Sequence, residues 1–121
     1  MTFAKITSQP LLPSMVQSII SWELKRILDT AEPVVVYLFG SGARNEMTQA
    51  SDLDFLIVLP DGAAVRKIKQ KYYNSSQERK VAVDAIFVTE SQYRQRSKIG
   101  GVCMVCHDEG IILYQTPRNV S

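Results

Sequence analysis

Two cysteines and a single histidine in 121 residues leave this chain little material for a disulfide framework or a nitrogen-and-sulfur metal scaffold. The opening residues, MTFAKITSQPLLPS, lack the basic start and long apolar core of a secretory signal. No run approaches the roughly 18 apolar residues that a membrane-spanning helix requires. The longest apolar stretch, Pro33 to Phe39, is strand-sized. These absences point to a soluble cytoplasmic protein without a membrane partner. Excess charge is scarce too: 14 basic against 12 acidic side chains leave +2, too little to argue for nucleic acid. Internal repeats and low-complexity tracts are missing.

The cysteines that are present carry one suggestive pattern. Cys103-Met104-Val105-Cys106-His107 reads as C-x-x-C-H, the spacing of c-type haem attachment. Haem attachment needs export, and one C-x-x-C with an adjacent lone histidine does not supply four convergent zinc ligands. The segment alternates, stops at Asp108-Glu109-Gly110 and resumes as the apolar run Ile111 to Tyr114, which predicts a hairpin. In a strand, residues three apart point to opposite faces, so the two thiols would diverge. The expectation is two free, reduced cysteines holding neither haem nor zinc.

What is present suits one compact domain: 45% hydrophobic and 21% charged residues, close to the globular average. Pro10 and Pro13 bracket Leu11 and Leu12, so residues 1–13 read as a lead-in segment, 14–116 as the domain and 117–121 as a tail. Ser14 stands as a plausible helix cap. Behind it Val16, Ile19, Ile20, Leu24, Ile27 and Leu28 recur at helical spacing as far as about Thr30. Glu32-Pro33 breaks that helix, and Val34 to Phe39, β-branched and aromatic throughout, predicts a buried strand. The turn Gly40-Ser41-Gly42 and a short polar segment lead to a second strand, Asp52 to Leu59, closed by Pro60-Asp61-Gly62. Residues 63–73 suit a helix, Lys80 to Val88 a third strand, and Thr89 to Lys98 a helix capped by Thr89 or Ser91. With the hairpin, the order is α-β-β-α-β-α-β-β, an α/β (α+β) fold with helices packed on a mixed sheet.

Asp52 and Asp54 are the chemical signal. Two apart on a strand, their carboxylates share a face that continues as Leu56 and Val58, while Leu53, Phe55 and Ile57 fill the other. Two acids opening an apolar strand repel each other and resist burial, and hard divalent cations prefer such oxygen ligands. A solvated strand end is the commoner fate of a lone D-x-D, so the neighbouring segments matter. Gly40-Ser41 sits where a buried strand turns, able to offer backbone N–H groups and a hydroxyl to phosphate oxygens, with Gly42 adding backbone freedom. Arg44 is close enough in sequence to neutralise polyphosphate. No Gly-Lys-Ser/Thr follows, so this is not a Walker loop. Asp84, alone among Val81, Ala82, Val83, Ala85, Ile86, Phe87 and Val88, is expensive in a strand unless paired or metal-bound. Were its strand to neighbour Asp52–Leu59, three acids would meet, a set suited to two-metal chemistry. The basic residues Arg66, Lys67, Lys69 and Lys71 read as a solvated helix face rather than an RNA site.

Gly40-Ser41, ten residues, then Asp52-Leu53-Asp54 resembles the G-S-x10-D-x-D signature of the DNA polymerase β-like nucleotidyltransferases. Leu38-Phe39-Gly40-Ser41, Ala43-Arg44 and Ser51-Asp52-Leu53-Asp54 further resemble the L-F-G-S-R-A-R-G and S-D-x-D runs of the minimal nucleotidyltransferases over residues 15–115. The resemblance implies that Gly40 and Ser41 contact the triphosphate, that Asp52 and Asp54 bind Mg²⁺, two ions in all, and that Asp84 helps activate the nucleophile. Gly42 stands in place of the first Arg of the usual run and Asn45 in place of its final Gly. Members are often antitoxins paired with a HEPN-family toxin, implying transfer of AMP from ATP to a tyrosine of that partner. A non-catalytic antitoxin acting by contact, and transfer to a small molecule or RNA end, remain as alternatives.

Overall fold

The computed structural model describes residues 13–44, 46–47, 52–75 and 82–117. Eight elements run in the order α1 (Pro13–Thr30), β1 (Val35–Phe39), β2 (Asp52–Leu59), α2 (Val65–Asn74), β3 (Ala82–Thr89), α3 (Glu90–Ser97), α4 (Val102–Glu109) and β4 (Ile111–Gln115). The strands form one mixed sheet ordered β3-β2-β1-β4. β1 runs antiparallel to β2 and β4, while β2 and β3 run parallel. Among the described residues no helix is long and apolar enough to cross a membrane.

Alternation along β2 divides the core in two. Leu53, Phe55, Ile57 and Leu59 point to one face and are fully buried against Val16, Ile20 and Ile27 of α1 and Tyr72 of α2. Burying each such side chain contributes about 1.5–3 kcal/mol. Leu56 and Val58 point to the other face, beneath Tyr93 of α3 and Val102, Cys103 and Cys106 of α4. The sheet is therefore a middle layer, with α1 and α2 on one side and α3 and α4 on the other. Thr89 caps α3 as expected: its hydroxyl accepts from the Gln92 N–H, and the Gln92 side chain accepts from the Thr89 N–H.

Two expectations change. Ser14 lies inside the first turn of α1 rather than capping it, since the helix begins at Pro13. The predicted terminal hairpin is instead α4 followed by the single strand β4. Gly101, with φ of +76°, opens α4 in a backbone conformation that a strand would not use. On the helix Cys103 and Cys106 stand three apart and face inward together, so the argument for diverging thiols fails. Both are free and buried, and burial raises both thiol pKa values, that of Cys106 to about 12. The predicted start of the third strand, Lys80 and Val81, lies outside the described residues, as do the lead-in segment apart from Pro13, and Asn45 and Ser51 of the sequence signature.

Candidate functional site

The parallel register sets Asp54 beside Asp84 and Asp52 beside Ala82. Cross-strand partners in register share a face, so Asp52, Asp54 and Asp84 all lie on the α3–α4 side of the sheet, at the end where β2 and β3 begin. Asp52 and Asp84 are exposed and Asp54 is half-buried. On the same face Leu56, Val58, Ile86 and Val88 continue inward as an apolar cluster, so the acids form the outer end of a greasy surface.

β1 completes the site from the other flank. Its last residue, Phe39, pairs with Asp54, which carries the following turn directly against that carboxylate. Gly40 has φ of +74°, and a Cβ there would overlap Asp54 Oδ2. Glycine is thus required twice, for backbone sign and for space. The turn is closed by Ala43 and Arg44 N–H groups donating to the Gly40 carbonyl at 3.1 and 3.2 Å, and by Glu46 N–H donating to the Ser41 carbonyl at 2.8 Å. The N–H groups of Ser41 and Gly42 donate to no backbone acceptor among the described residues. The backbone freedom expected at Gly42 is located at Gly40 instead. Gly42 does not have a positive φ; it lies against Leu38 and Leu53, where a Cβ would stand 3.1 Å from Leu53 Cδ2.

Electrostatics tie these groups together. Burial raises the Asp54 pKa, and the nearby charges of Asp84 and then Asp52 raise it further, while Arg44 pulls it back. Arg44 is more than half exposed and pairs with Glu46 at 2.6 Å. The Ser41 hydroxyl donates to Met47 Sδ at 3.3 Å, a weak acceptor that a phosphate oxygen would outcompete. Neither Glu46 nor Met47 is foreseen from the sequence; the only available signal is their nearness to the Gly40–Arg44 turn.

Among the described residues, no three acidic, histidine or cysteine side chains already stand close enough to cage an ion. The chemistry of the donor set nonetheless fits a hard divalent cation: three carboxylates at one sheet end whose mutual repulsion a cation would relieve. Asp52, Asp54 and Asp84 are the residues that would hold it.

No curated protein sequence matches this chain. Among solved structures, a candidate nucleotidyltransferase from Sulfolobus solfataricus is similar with a TM-score of 0.56 and 16% identity, covering 84% of this chain and 81% of that one. That likeness shows a shared fold. A toxin-antitoxin solved with AMP-PNP is similar with a TM-score of 0.49 and 22% identity, covering 78% of this chain and 72% of that one. The nucleotidyltransferase domain family matches residues 21–112, from the middle of α1 to the start of β4, so that β1, β2, β3 and the whole Gly40 turn fall within it. That span exceeds half of the sequence, and the chain belongs to the nucleotidyltransferase domain family.

Proposed function

We propose that this chain transfers AMP from ATP to a hydroxyl group, with Mg²⁺ held by Asp52, Asp54 and Asp84, and that the acceptor is a tyrosine of a HEPN-family toxin in the cytoplasm. One observation carries the catalytic reading: Asp54 stands in register with Asp84 while the Gly40 turn packs on the Asp54 carboxylate. The toxin partner and the choice of ATP rest on the sequence resemblance. When bound, Mg²⁺ polarises the phosphate being attacked and lowers the pKa of the attacking hydroxyl. Ser41 Oγ and the Ser41 and Gly42 N–H groups hold the triphosphate oxygens, and Arg44 leaves Glu46 to neutralise them. The acceptor oxygen attacks the α-phosphorus, the bond from that phosphorus to the bridging oxygen breaks, and pyrophosphate departs. Asp84, exposed at the strand edge, accepts the proton of the attacking hydroxyl.

The experiment is mass spectrometry of a partner co-expressed with the wild type and with the double variant Asp52→Ala, Asp54→Ala. Losing both ligands removes several kcal/mol of transition-state stabilisation, roughly a thousandfold in rate or more, so AMP addition disappears while circular dichroism stays native. A contact-only antitoxin is the second reading, favoured by Gly42 and Asn45, which stand where the usual run of the resembled family has Arg and Gly. If the double variant neutralises the partner as well as the wild type does, that second reading replaces the first.

A further inference from the structure

β3 is an edge strand, and it carries Asp84. An edge strand is held by a neighbour on one side only, and a slip of one residue against β2 would turn Asp84 to the opposite face. The contacts that oppose such a slip come from the C-terminal turn of α2. The Tyr72 ring meets Phe87 of β3 edge-on, with centroids 5.6 Å apart, and the Tyr73 hydroxyl donates to the Ala85 carbonyl at 3.4 Å. Ala85 follows Asp84 directly and Phe87 lies three residues beyond it, so the two contacts grip β3 on the stretch that follows its acid.

Tyr72 is itself held from α1. Its hydroxyl donates to Glu23 Oε1, and both residues are about 1% exposed. Arg26 spans the same seam: one guanidinium nitrogen donates to both Glu23 oxygens at 2.9 and 3.1 Å. The other donates to Ser75 Oγ at 3.2 Å and the Tyr72 carbonyl at 3.5 Å, with the guanidinium 5.2 Å from the Tyr72 ring centroid. Glu23 is the charged side chain buried among the described residues, and nothing in the candidate site uses it. Burying a carboxylate for packing alone is unfavourable; a buried pair with an added hydroxyl donor fixes one geometry.

We infer that Tyr72 is a positioning residue for the reaction proposed above, held by Glu23 and Arg26 so that α2 fixes the register of β3 and keeps Asp84 beside Asp54. The inference rests on that catalytic reading, but its structural half can be tested without it. A displacement of about 1 Å at a reacting group lowers rate on the order of a hundredfold, so small movements of β3 matter.

The test compares the wild type with Tyr72→Phe, which removes only the hydroxyl and keeps the ring against Phe87, and with Tyr73→Phe, an exposed position safe for folding. Amide hydrogen exchange of the full chain, without metal or nucleotide, reads the clamp directly. Exchange in β3 should accelerate at least tenfold in Tyr72→Phe, while β1 and β4 keep wild-type protection. Mn²⁺ alone, followed by its spin-resonance signal, should bind several-fold more weakly. AMP transfer should lose kcat by roughly ten- to a hundredfold, with the KM for ATP within about twofold. Tyr73→Phe should move all three readouts in the same direction by less, and it decides the matter if Tyr72→Phe does not fold. A tyrosine serving stability alone would lower the melting temperature while leaving kcat, Mn²⁺ affinity and the exchange pattern of β3 unchanged; that result overturns the inference. A wild type that transfers no AMP defeats the catalytic reading, and β3 exchange still decides whether the clamp exists.

Discussion

Gly40→Ala separates two effects that one residue combines. Alanine at φ of +74° adopts the left-handed region, at a cost of about 1–2 kcal/mol. Its Cβ would also overlap Asp54 Oδ2, forcing that carboxylate from its rotamer for about 0.5–1.5 kcal/mol more. Gly62 supplies the control: φ is +89°, yet a Cβ there meets nothing within 4 Å, so Gly62→Ala incurs the backbone cost alone. At about 4 °C per kcal/mol for a domain of this size, Gly62→Ala should lower Tm by about 4–8 °C and Gly40→Ala by about 6–14 °C. Thermal unfolding followed by circular dichroism reads both. Calorimetric titration with Mg·ATP reads the second effect, which should weaken binding in Gly40→Ala and leave Gly62→Ala at the wild-type affinity. Equal losses of Tm in the two variants, with ATP affinity retained in both, would refute the claim that the turn packs on Asp54.

Two further outcomes follow from groups away from the acids. Hydrogen bonds from Ser91, whose hydroxyl and N–H donate to Asp61 at 2.6 and 2.9 Å, hold the Asp61 carboxyl below its ordinary value of 3.8. A depressed folded-state pKa means that the unfolded chain binds more protons in that window. The stabilisation is therefore present above pH 3.8 and lost as pH falls through the lower folded value. Asp61→Asn should unfold at lower urea than the wild type at pH 7, and the gap should close below pH 3.8; a gap independent of pH contradicts the assignment. Cys103 and Cys106, buried and with raised pKa values, should resist a thiol-specific disulfide reagent at pH 8 until urea opens the fold. Both should also appear at the intact mass of the bare reduced chain, so labelling of the native protein within seconds, or a haem adduct, would count against this.

The sheet was legible because its strands carry their own period. Along β2, apolar residues on one face and Asp52, Asp54, Leu56 and Val58 on the other give both the strand and its two-sided burial. α1 is as plain, with its apolar stripe and its end at Thr30 before Pro33. α4 was not, because eight residues are too few to separate two periods. Val102, Met104 and Cys106 fit alternation, while Val102, Cys103 and Cys106 fit one face of a helix. The glycines on either side were the better signal. Gly101 opens the helix, and Gly110 closes it where a Cβ would stand 2.7 Å from the Cys106 carbonyl oxygen. Glu23 was invisible because on α1 it occupies a core-facing position, and its burial is made tolerable by Tyr72 of α2, distant in sequence, together with Arg26 one turn along the same helix.

The acids could be named in the sequence, whereas the reason that they stay open could not. Asp52, Asp54 and Asp84 share a face with Leu56, Val58, Ile86 and Val88, so a longer cover over that apolar cluster would have covered the carboxylates as well. The cover consists of α3 and α4, each eight residues and so about 12 Å long. An eight-residue strand such as β2 runs about 26 Å. Two short helices can roof about half of it. They settle where burial is rewarded, over the aliphatic half, with Tyr93 stacked on Tyr37 and donating to its hydroxyl at 2.9 Å. The acidic half is left to solvent, which spares Asp52 and Asp84 a desolvation cost. Replacing the expected hairpin by α4 therefore strengthens the site: a helix too short to reach the acids seals the apolar floor beneath them without closing their mouth.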